Sequence, residues 1–212
     1  MTDAEAEPAA AAQVFGDRLE LARLFARQLA YHGEERGLIG PLEPPRLWSR
    51  HILNSAVISG AFASGTRAAD VGSGAGLPGI VLAVARPDVH WVLIEPMERR
   101  VAWLDEQVHL LGLDNVEVVR ARAEDYEDGI GFDAVTARAV SALRTLLPLT
   151  APLVRPGGQL LLMKGSSVGS EIDAAQKQIR KFRLDDVRIE RWGEDVLTQP
   201  TTLFRATVGS AR

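Results

Sequence analysis

The residues that most strongly indicate a functional site form a glycine-rich run that follows a short apolar segment. Glycines stand at positions 72, 74, 76 and 79, and Asp70 precedes them. Glycine adopts backbone conformations closed to other residues and has no Cβ to hold a ligand away from the main chain. Such a loop between a strand and a helix predicts a binding surface for a nucleotide-like ligand. The alternative is a tight turn that binds nothing.

The spacing of this loop narrows the class of ligand. Leu77 stands where the dinucleotide pattern G-x-G-x-x-G requires its third glycine. Asp70 places a carboxylate at the strand's end, where it would repel a pyrophosphate and attract an ammonium group. Both features argue against a nicotinamide oxidoreductase and favour S-adenosylmethionine, which carries such an ammonium.

Two further acidic positions follow later apolar runs. Glu95 comes 19 residues after Gly76, and an acidic residue at about this spacing can accept both hydroxyls of a ribose. Its alternative role is to cap the next helix. The pair Ala123-Glu124 follows a third run, where a carboxylate could accept from the amino group of adenine or could be a solvated loop acid. We therefore expect Asp70, Glu95 and Glu124 at the carboxyl ends of three strands, where open α/β sheets bind ligands.

From residue 67 onward, short apolar runs alternate with amphipathic stretches, which is typical of βαβ units. The expected parallel strands are 68–71, 91–94, 116–119, 133–136 and 159–163. The expected helices are 77–85, 97–111, 142–154 and 168–182. Two successive runs, 186–192 and 202–208, predict a terminal antiparallel hairpin. The fold class is thus α/β, with a doubly wound, mostly parallel seven-stranded sheet.

The first 65 residues have a different character. Residues 1–12 are rich in alanine and predict a disordered tail. Helical patterns over 14–31 and 45–61 predict an N-terminal helical extension, 13–65, ahead of a main domain over 66–212.

Composition excludes several classes of protein. The chain has no cysteine, which removes disulfides and thiolate chemistry, and its histidines share no metal-ligand spacing, so no metal site is expected. No apolar run reaches the length of a membrane span and no signal peptide is visible, so we expect a cytoplasmic protein without a membrane partner, and a monomer.

Several motifs resemble a known family. The run from Asp70 to Lys164 resembles a class I S-adenosylmethionine-dependent methyltransferase, which has a Rossmann-like fold. More closely, the sequence resembles the RsmG (glucose-inhibited division protein B) family at Arg50-His51-Ile52-Leu53-Asn54-Ser55, Gly76-Leu77-Pro78-Gly79-Ile80, Ala137-Arg138-Ala139 and Leu162-Met163-Lys164-Gly165. Members of that family methylate N7 of one guanine in 16S ribosomal RNA.

The resemblance implies site residues. By position in the family, the cofactor would be contacted by Gly72, Leu77, Ala123, Glu124 and Arg138. The loop and strand-end pattern described above adds Asp70, Gly74, Gly76 and Glu95. The chain departs from the family pattern at Gly37-Leu38-Ile39-Gly40-Pro41, where members often have Asn-Leu-Thr, and at Asn54, where Asp is common.

The chemistry agrees with the resemblance. Guanine N7 carries a lone pair, so methyl transfer needs alignment rather than a general base, and the alignment candidates are Arg138 and Lys164. Methylation of cytosine C5 in its usual form needs a cysteine, which this chain lacks. Residues 136–140, Thr-Ala-Arg-Ala-Val, lack the Asn/Asp-Pro-Pro-aromatic run common in methyltransferases of exocyclic amines.

The net charge of -4 is unusual for a protein that binds RNA. Leaving out Asp3, Glu5 and Glu7 of the leading segment brings the two signs of charge close to balance. The expected RNA-binding residues form a basic rim near the strand ends: Arg50, His51, Arg99, Arg100, Arg122 and Lys164. The expected partner is 16S rRNA, free, in the small ribosomal subunit or in an assembly intermediate. A small-molecule methyltransferase and a non-catalytic cofactor-binding regulator remain as alternatives.

Overall fold

The strands of the structure form one seven-stranded sheet. The computed structural model describes residues 4–127, 129, 131–138 and 141–209. The strands are β1 (Arg67–Val71), β2 (His90–Ile94), β3 (Val116–Val119), β4 (Phe132–Arg138), β5 (Val154–Lys164), β6 (Leu184–Trp192) and β7 (Thr201–Val208). Their order is β3-β2-β1-β4-β5-β7-β6, in which β1 to β5 are parallel and β7 is antiparallel to both its neighbours. The predicted fold class and the terminal hairpin are confirmed.

Helices cover both faces of this sheet. The α-helices are α1 (Ala10–Phe15), α2 (Leu19–His32), α3 (Asn54–Ala56), α4 (Gly79–Ala85), α5 (Glu98–Leu111), α6 (Leu143–Thr150), α7 (Val168–Ala174) and α8 (Gln176–Lys181). Short 3-10 turns lie at Gly16–Arg18, Pro44–Arg46, Val57–Ala61, Ala123–Asp125 and Ala151–Leu153. Across the described ranges, no helix has the length and apolar character that crossing a bilayer requires.

The strands alternate between two buried hydrophobic clusters, because successive side chains of a strand point to opposite faces. On β2, Trp91 and Leu93 pack towards α4 and α5, whereas Val92 and Ile94 pack towards α6 to α8. Burial of apolar side chains on both faces is what a doubly wound sheet requires. The N-terminal helices belong to the first cluster, so they share a core with the sheet.

The N-terminal elements differ in detail from the sequence prediction. The predicted helix 14–31 begins earlier and is interrupted at Gly16, whose φ of 49° lies in the left-handed region. The predicted helix 45–61 is a succession of short elements that includes a π-helical segment over Trp48–Leu53.

The expected disordered tail over 1–12 also differs from the structure. Within residues 4–12, α1 begins at Ala10, and Ala11 is buried in the first cluster. The Glu5 carboxylate accepts the Ser49 N–H at 2.9 Å, and Glu7 pairs with Arg23. These contacts attach the leading segment to the helices. Residues Met1–Asp3 lie outside the described residues.

The sheet order places a crevice at the carboxyl end of β1. Its neighbours are β2 and β4, whose connections leave in opposite directions from this point, and open α/β sheets bind ligands at such a reversal. The register pairs Val71 with Ile94 and Asp70 with Thr136, so the segments after β1, β2 and β4 meet at one edge.

Candidate functional site

The loop after β1 combines two uses of glycine. Gly72 and Gly74 have φ values of 72° and 55° and lie at the surface of a cavity. Gly76 has a φ of 90°, and a Cβ there would lie 2.6 Å from Ile80 Cγ1 and 3.2 Å from Phe25 Cζ. The first two glycines leave the cavity wall without side chains at these positions, whereas Gly76 lets the loop pack against α4 and α2.

Asp70 holds the far end of this loop at the start of α4. Its side chain is fully buried, and Oδ2 accepts the Gly79 N–H at the start of α4 at 2.9 Å. A Cβ on Gly79 would approach the same oxygen to 2.6 Å, so glycine permits the contact. Burial raises the pKa of the Asp70 carboxyl to about 7. The predicted direct attraction of a ligand ammonium does not fit this position, because the carboxylate faces a helix rather than the cavity.

Glu95 lies beside the loop and holds two backbone groups. Its Oε2 accepts the Gly74 N–H and its Oε1 accepts the Met97 N–H, each at 2.9 Å. Met97 is the N-cap residue of α5, so Glu95 binds the backbone at the entry to this helix but is not itself the cap that the alternative predicted. Each carboxylate oxygen has a second lone pair, so Glu95 can still accept from a ligand at the cavity wall that it forms.

These residues enclose a space of about 540 Å³, here named the glycine-loop cavity. Its lining is Leu38, Ile39, Gly40, Glu43, His51, Gly72, Ser73, Gly74, Ala75, Leu77, Glu95, Pro96, Met97, Arg100 and Arg138. The volume lies within the range of small-molecule sites. Its donor set suits S-adenosylmethionine, because carboxylates can meet the cationic and hydroxyl groups while Leu38, Ile39 and Met97 offer apolar surface to a purine.

Arg138, the last residue of β4, joins this cavity to the N-terminal helices. Its Nη1 donates to Ser55 Oγ at 3.0 Å and to the His51 carbonyl at 3.4 Å. Its Nη2 donates to the Arg50 carbonyl at 3.1 Å and contacts His51 Nδ1 at 2.6 Å. Burial and the nearby Arg50 lower the pKa of Arg138 to about 10, so it stays charged at neutral pH.

The sequence predicts Arg138 as a cofactor contact and as an alignment candidate, and both roles stay predictions. In the structure its four Nη contacts are made to the segment 50–55. The π-helical segment supplies two of the acceptor carbonyls, and π-turns are frequent at functional sites.

A second space of about 610 Å³ lies on the other side of Arg138 and is here named the basic cavity. Its lining is Arg50, Asn54, Arg138, Met163, Lys164, Gly165, Ser166, Arg191, Thr198, Gln199, Pro200, Thr201 and Thr202. Four of these side chains are cationic, and among the described residues that form the wall none is acidic. The surface therefore suits a polyanion.

Two neighbours shape the wall of the basic cavity. Lys164 Nζ pairs with Glu171 at 2.8 Å and donates to the Ser141 carbonyl at 2.7 Å, so its charge is partly balanced from behind. Asn54 Nδ2 donates to Thr201 Oγ1 at 2.7 Å, and Thr201 Oγ1 donates to the Asn54 carbonyl at 2.8 Å. This reciprocal pair fixes β7 against α3.

The structure brings only part of the predicted site together. Gly72, Gly74, Leu77, Glu95, His51, Arg100 and Arg138 line the glycine-loop cavity, and Arg50, Arg138 and Lys164 line the basic cavity. Arg99 and Arg122 are exposed outside both linings. Ala123 is buried and Glu124 exposed, and neither belongs to the glycine-loop cavity lining, so their cofactor role stays a prediction. Ala139 of the quoted motif lies outside the described residues.

Sequence reasoning missed Glu43 and the segment 198–202. Glu43 lines the glycine-loop cavity from a loop, and no spacing rule connects it with β1. The segment 198–202 is a largely polar run that connects the two predicted strands of the terminal hairpin, and this polarity could have marked it as part of a binding surface.

Comparison with known proteins gives a consistent result. A family model described as "rRNA small subunit methyltransferase G" matches residues 18–197. A protein of that name from Leifsonia xyli subsp. xyli is 63% identical over 209 residues, which cover 98% of this chain and 100% of the relative. A second, from Corynebacterium glutamicum, is 51% identical over 93% of this chain and 90% of its own length.

Solved structures share the fold at low identity. The N-methyltransferase NodS from Bradyrhizobium japonicum WM9, in complex with S-adenosyl-l-homocysteine, superimposes with a TM-score of 0.58 at 15% identity over 85% of this chain and 99% of that one. The tRNA (m1A58) methyltransferase TrmI from Aquifex aeolicus gives 0.56 at 13% identity over 74% of this chain and 69% of that one.

Proposed function

The chain belongs to the rRNA small subunit methyltransferase G family, and from this premise we propose that its two cavities divide the reaction between them. It is an S-adenosylmethionine-dependent rRNA methyltransferase. The glycine-loop cavity takes the cofactor, and the basic cavity takes the acceptor nucleotide of 16S rRNA. Family membership favours rRNA methylation over the small-molecule methyltransferase and the non-catalytic regulator that the sequence left open.

The observation that carries the division is the segregation of charge about Arg138. The glycine-loop cavity contains the carboxylates of Glu43 and Glu95, whereas the described lining of the basic cavity has four cationic side chains and no acid; Glu43 lies at the boundary, 3.7 Å from Arg50. A nucleotide brings phosphate charge that carboxylates would repel and that Arg50 and Arg191 would attract. The two cavities share Arg138, so their contents would lie on either side of one side chain.

The chain's residues bind and align the reactants. When bound, S-adenosylmethionine supplies an electrophilic methyl group. Gly72 and Gly74 would expose backbone to it, Glu95 would accept from its hydroxyl groups, and Leu77 and Met97 would exclude water. We propose guanine N7 as the acceptor, since its lone pair needs no general base and alignment can supply the catalysis.

The arginines of the basic cavity give the proposal its test. Arg191→Gln should raise the KM for RNA and make methylation less sensitive to salt, with a slope smaller by about one unit if one phosphate contact is lost. Arg188→Gln is the matched control, because Arg188 lies on the same strand outside the cavity lining. The assay is methyl transfer to 16S rRNA, offered both free and in small subunits prepared without this enzyme, with mass mapping of the product.

A cofactor-side variant separates the two cavities. Glu95→Gln keeps one acceptor oxygen but places an amide NH₂ against a backbone N–H, so cofactor affinity should fall roughly 10-fold. Glu98→Gln, at an exposed position of α5, should leave it unchanged. Equal effects of Arg191→Gln and Arg188→Gln on RNA, or a methylated product other than 7-methylguanine, would overturn the corresponding part of the proposal.

A further inference from the structure

The side chain of His51 connects Arg138 to Glu43. His51 lies in the π-helical segment, and its ring is largely buried between the end of β4 and the loop that precedes Pro44. Nδ1 is 2.6 Å from Arg138 Nη2, and Nε2 is 2.5 Å from Glu43 Oε2. The imidazole thus bridges a cation and a carboxylate.

The chemistry of these two contacts fixes the protonation of the ring. A guanidinium can only donate, so Nδ1 must accept and carries no proton. The single ring proton is then on Nε2 and is donated to the Glu43 carboxylate. The geometry therefore requires the neutral Nε2–H tautomer, and a proton on Nδ1 would oppose an Arg138 N–H at hydrogen-bond distance.

The surrounding groups have opposite effects on the pKa of the His51 ring. Burial, Arg138 from β4 and Arg50 from the same segment lower the pKa of His51, whereas Glu43 raises it. Glu43 is itself held by Arg46, and beyond Arg138 lies the buried Asp70. The net shift is downward, which keeps the neutral form at neutral pH.

We propose that His51 and Glu43 are positioning residues for methyl transfer: Glu43 holds the His51 ring as the Nε2–H tautomer, and Nδ1 holds the Arg138 guanidinium in the wall between the two cavities. This inference rests on the proposed function, because it assigns the wall a role in alignment. Protonation of Nδ1 breaks the contact and releases one edge of Arg138, so the methyl donor and the acceptor base lose their shared wall.

Two substitutions of His51 separate its two nitrogens. In His51→Asn, Oδ1 takes the place of Nδ1 and can accept from Arg138, but the side chain cannot protonate. In His51→Gln, the amide reaches the place of Nε2 and can donate to Glu43, but no acceptor faces Arg138. His109→Gln, at an exposed position of α5, is the control for histidine loss.

The assay is single-turnover methylation of small subunits between pH 5 and 8, at saturating cofactor and RNA. The wild-type rate should fall with decreasing pH below the ordinary histidine range. His51→Asn should retain the rate at pH 8 within about 3-fold and lose the acidic decline, whereas His51→Gln should be slower by about 10-fold or more at each pH, as expected for loss of a hydrogen bond to a charged group. Glu43→Gln should move the acidic decline to lower pH, because it removes the charge that raises the His51 pKa.

A second readout does not depend on activity. Nitrogen-15 NMR of the imidazoles in the cofactor-free protein, which has 4 histidines, should show His51 with Nε2 protonated and Nδ1 without a proton, and titrating below the ordinary range of histidine. Persistence of the acidic decline in His51→Asn, equal rates for the Asn and Gln variants, or an Nδ1–H tautomer would overturn the proposal. Absence of methylation by the wild type, with the expected tautomer present, would instead contradict the proposed function.

Discussion

Asp70 gives the sharpest prediction for stability, because the fold buries a carboxylate with one satisfied oxygen. Oδ2 accepts the Gly79 N–H, whereas Oδ1 has no hydrogen-bond partner among the described residues. Burial raises the pKa of Asp70 from 3.8 to about 7. Between these two values the folded protein binds a proton that the unfolded chain releases, so stability decreases as pH rises through this window.

The size of this effect follows from the shift. One pKa unit corresponds to about 1.4 kcal/mol, and the interval from pH 5 to pH 8 includes about two of the three units, so Asp70 should cost about 2–3 kcal/mol over that interval. Asp70→Asn can still accept the Gly79 N–H through its amide oxygen but does not titrate. Its buried NH₂ adds a penalty that is constant with pH.

The measurement is urea unfolding followed by tryptophan fluorescence at several pH values from 5 to 8. The difference in unfolding free energy between the wild type and Asp70→Asn should change by about 2–3 kcal/mol in favour of the variant as pH rises. The difference isolates Asp70, because other titrations, including that of His51, occur in both proteins. Asp88→Asn is the control: the hydrogen bond and charge of Arg86 lower the pKa of Asp88, so its curve should run parallel to the wild type. Parallel curves for Asp70→Asn would refute the reasoning.

Two other predictions concern packing and charge. Gly76→Ala should lower the free energy of unfolding by about 2 kcal/mol or more, since it combines left-handed strain with a Cβ contact. Its control, Gly65→Ala, has a φ of 72° and open space around its Cβ, so it should lower the free energy of unfolding by only about 1 kcal/mol. Equal losses for the two variants in denaturant titrations would contradict this prediction. Lys164→Met should lower the free energy of unfolding by roughly 2–4 kcal/mol, because it leaves the Glu171 carboxylate without its cation. Adding Glu171→Gln should recover part of this loss. Strict additivity of the two substitutions in a double-mutant cycle would count against the pairing.

The sequence predicted the fold well because its strands are buried on both faces. Apolar runs bounded by turn residues marked β1 to β5 within a few residues for most boundaries, and the absence of a helix between the last two runs predicted the hairpin. The position of β7 between β5 and β6 was not predicted. It depends on pairing between distant segments, which local periodicity does not encode.

Apart from Arg50 and His51 of the N-terminal extension, the predicted residues that line the two cavities lie at or just after strand ends. Gly72, Gly74 and Glu95 stand directly after β1 and β2, and parallel strands bring their carboxyl ends to one edge. Glu43 and the partners of Arg138 come from segments whose paths are set by tertiary packing. The burial of Asp70 was missed for a related reason: a carboxylate at a strand end can face the crevice or the following helix, and here Gly79 opens room for the second choice.

The net charge of this chain shows why such placement matters more than composition. A chain with 28 acidic and 24 basic residues would repel RNA if its charges were evenly spread. At physiological salt, however, exposed charges farther away than about 8–10 Å are largely screened, so an approaching phosphate responds mainly to the nearest groups. Besides Arg138, the charges that line the basic cavity are Arg50, Lys164 and Arg191, and their carboxylate partners Glu43, Glu171 and Glu194 lie outside that lining. Under the proposed division, Arg138 therefore stands between a lining with carboxylates, which suits a cationic cofactor, and a lining with arginines, which suits an anionic substrate.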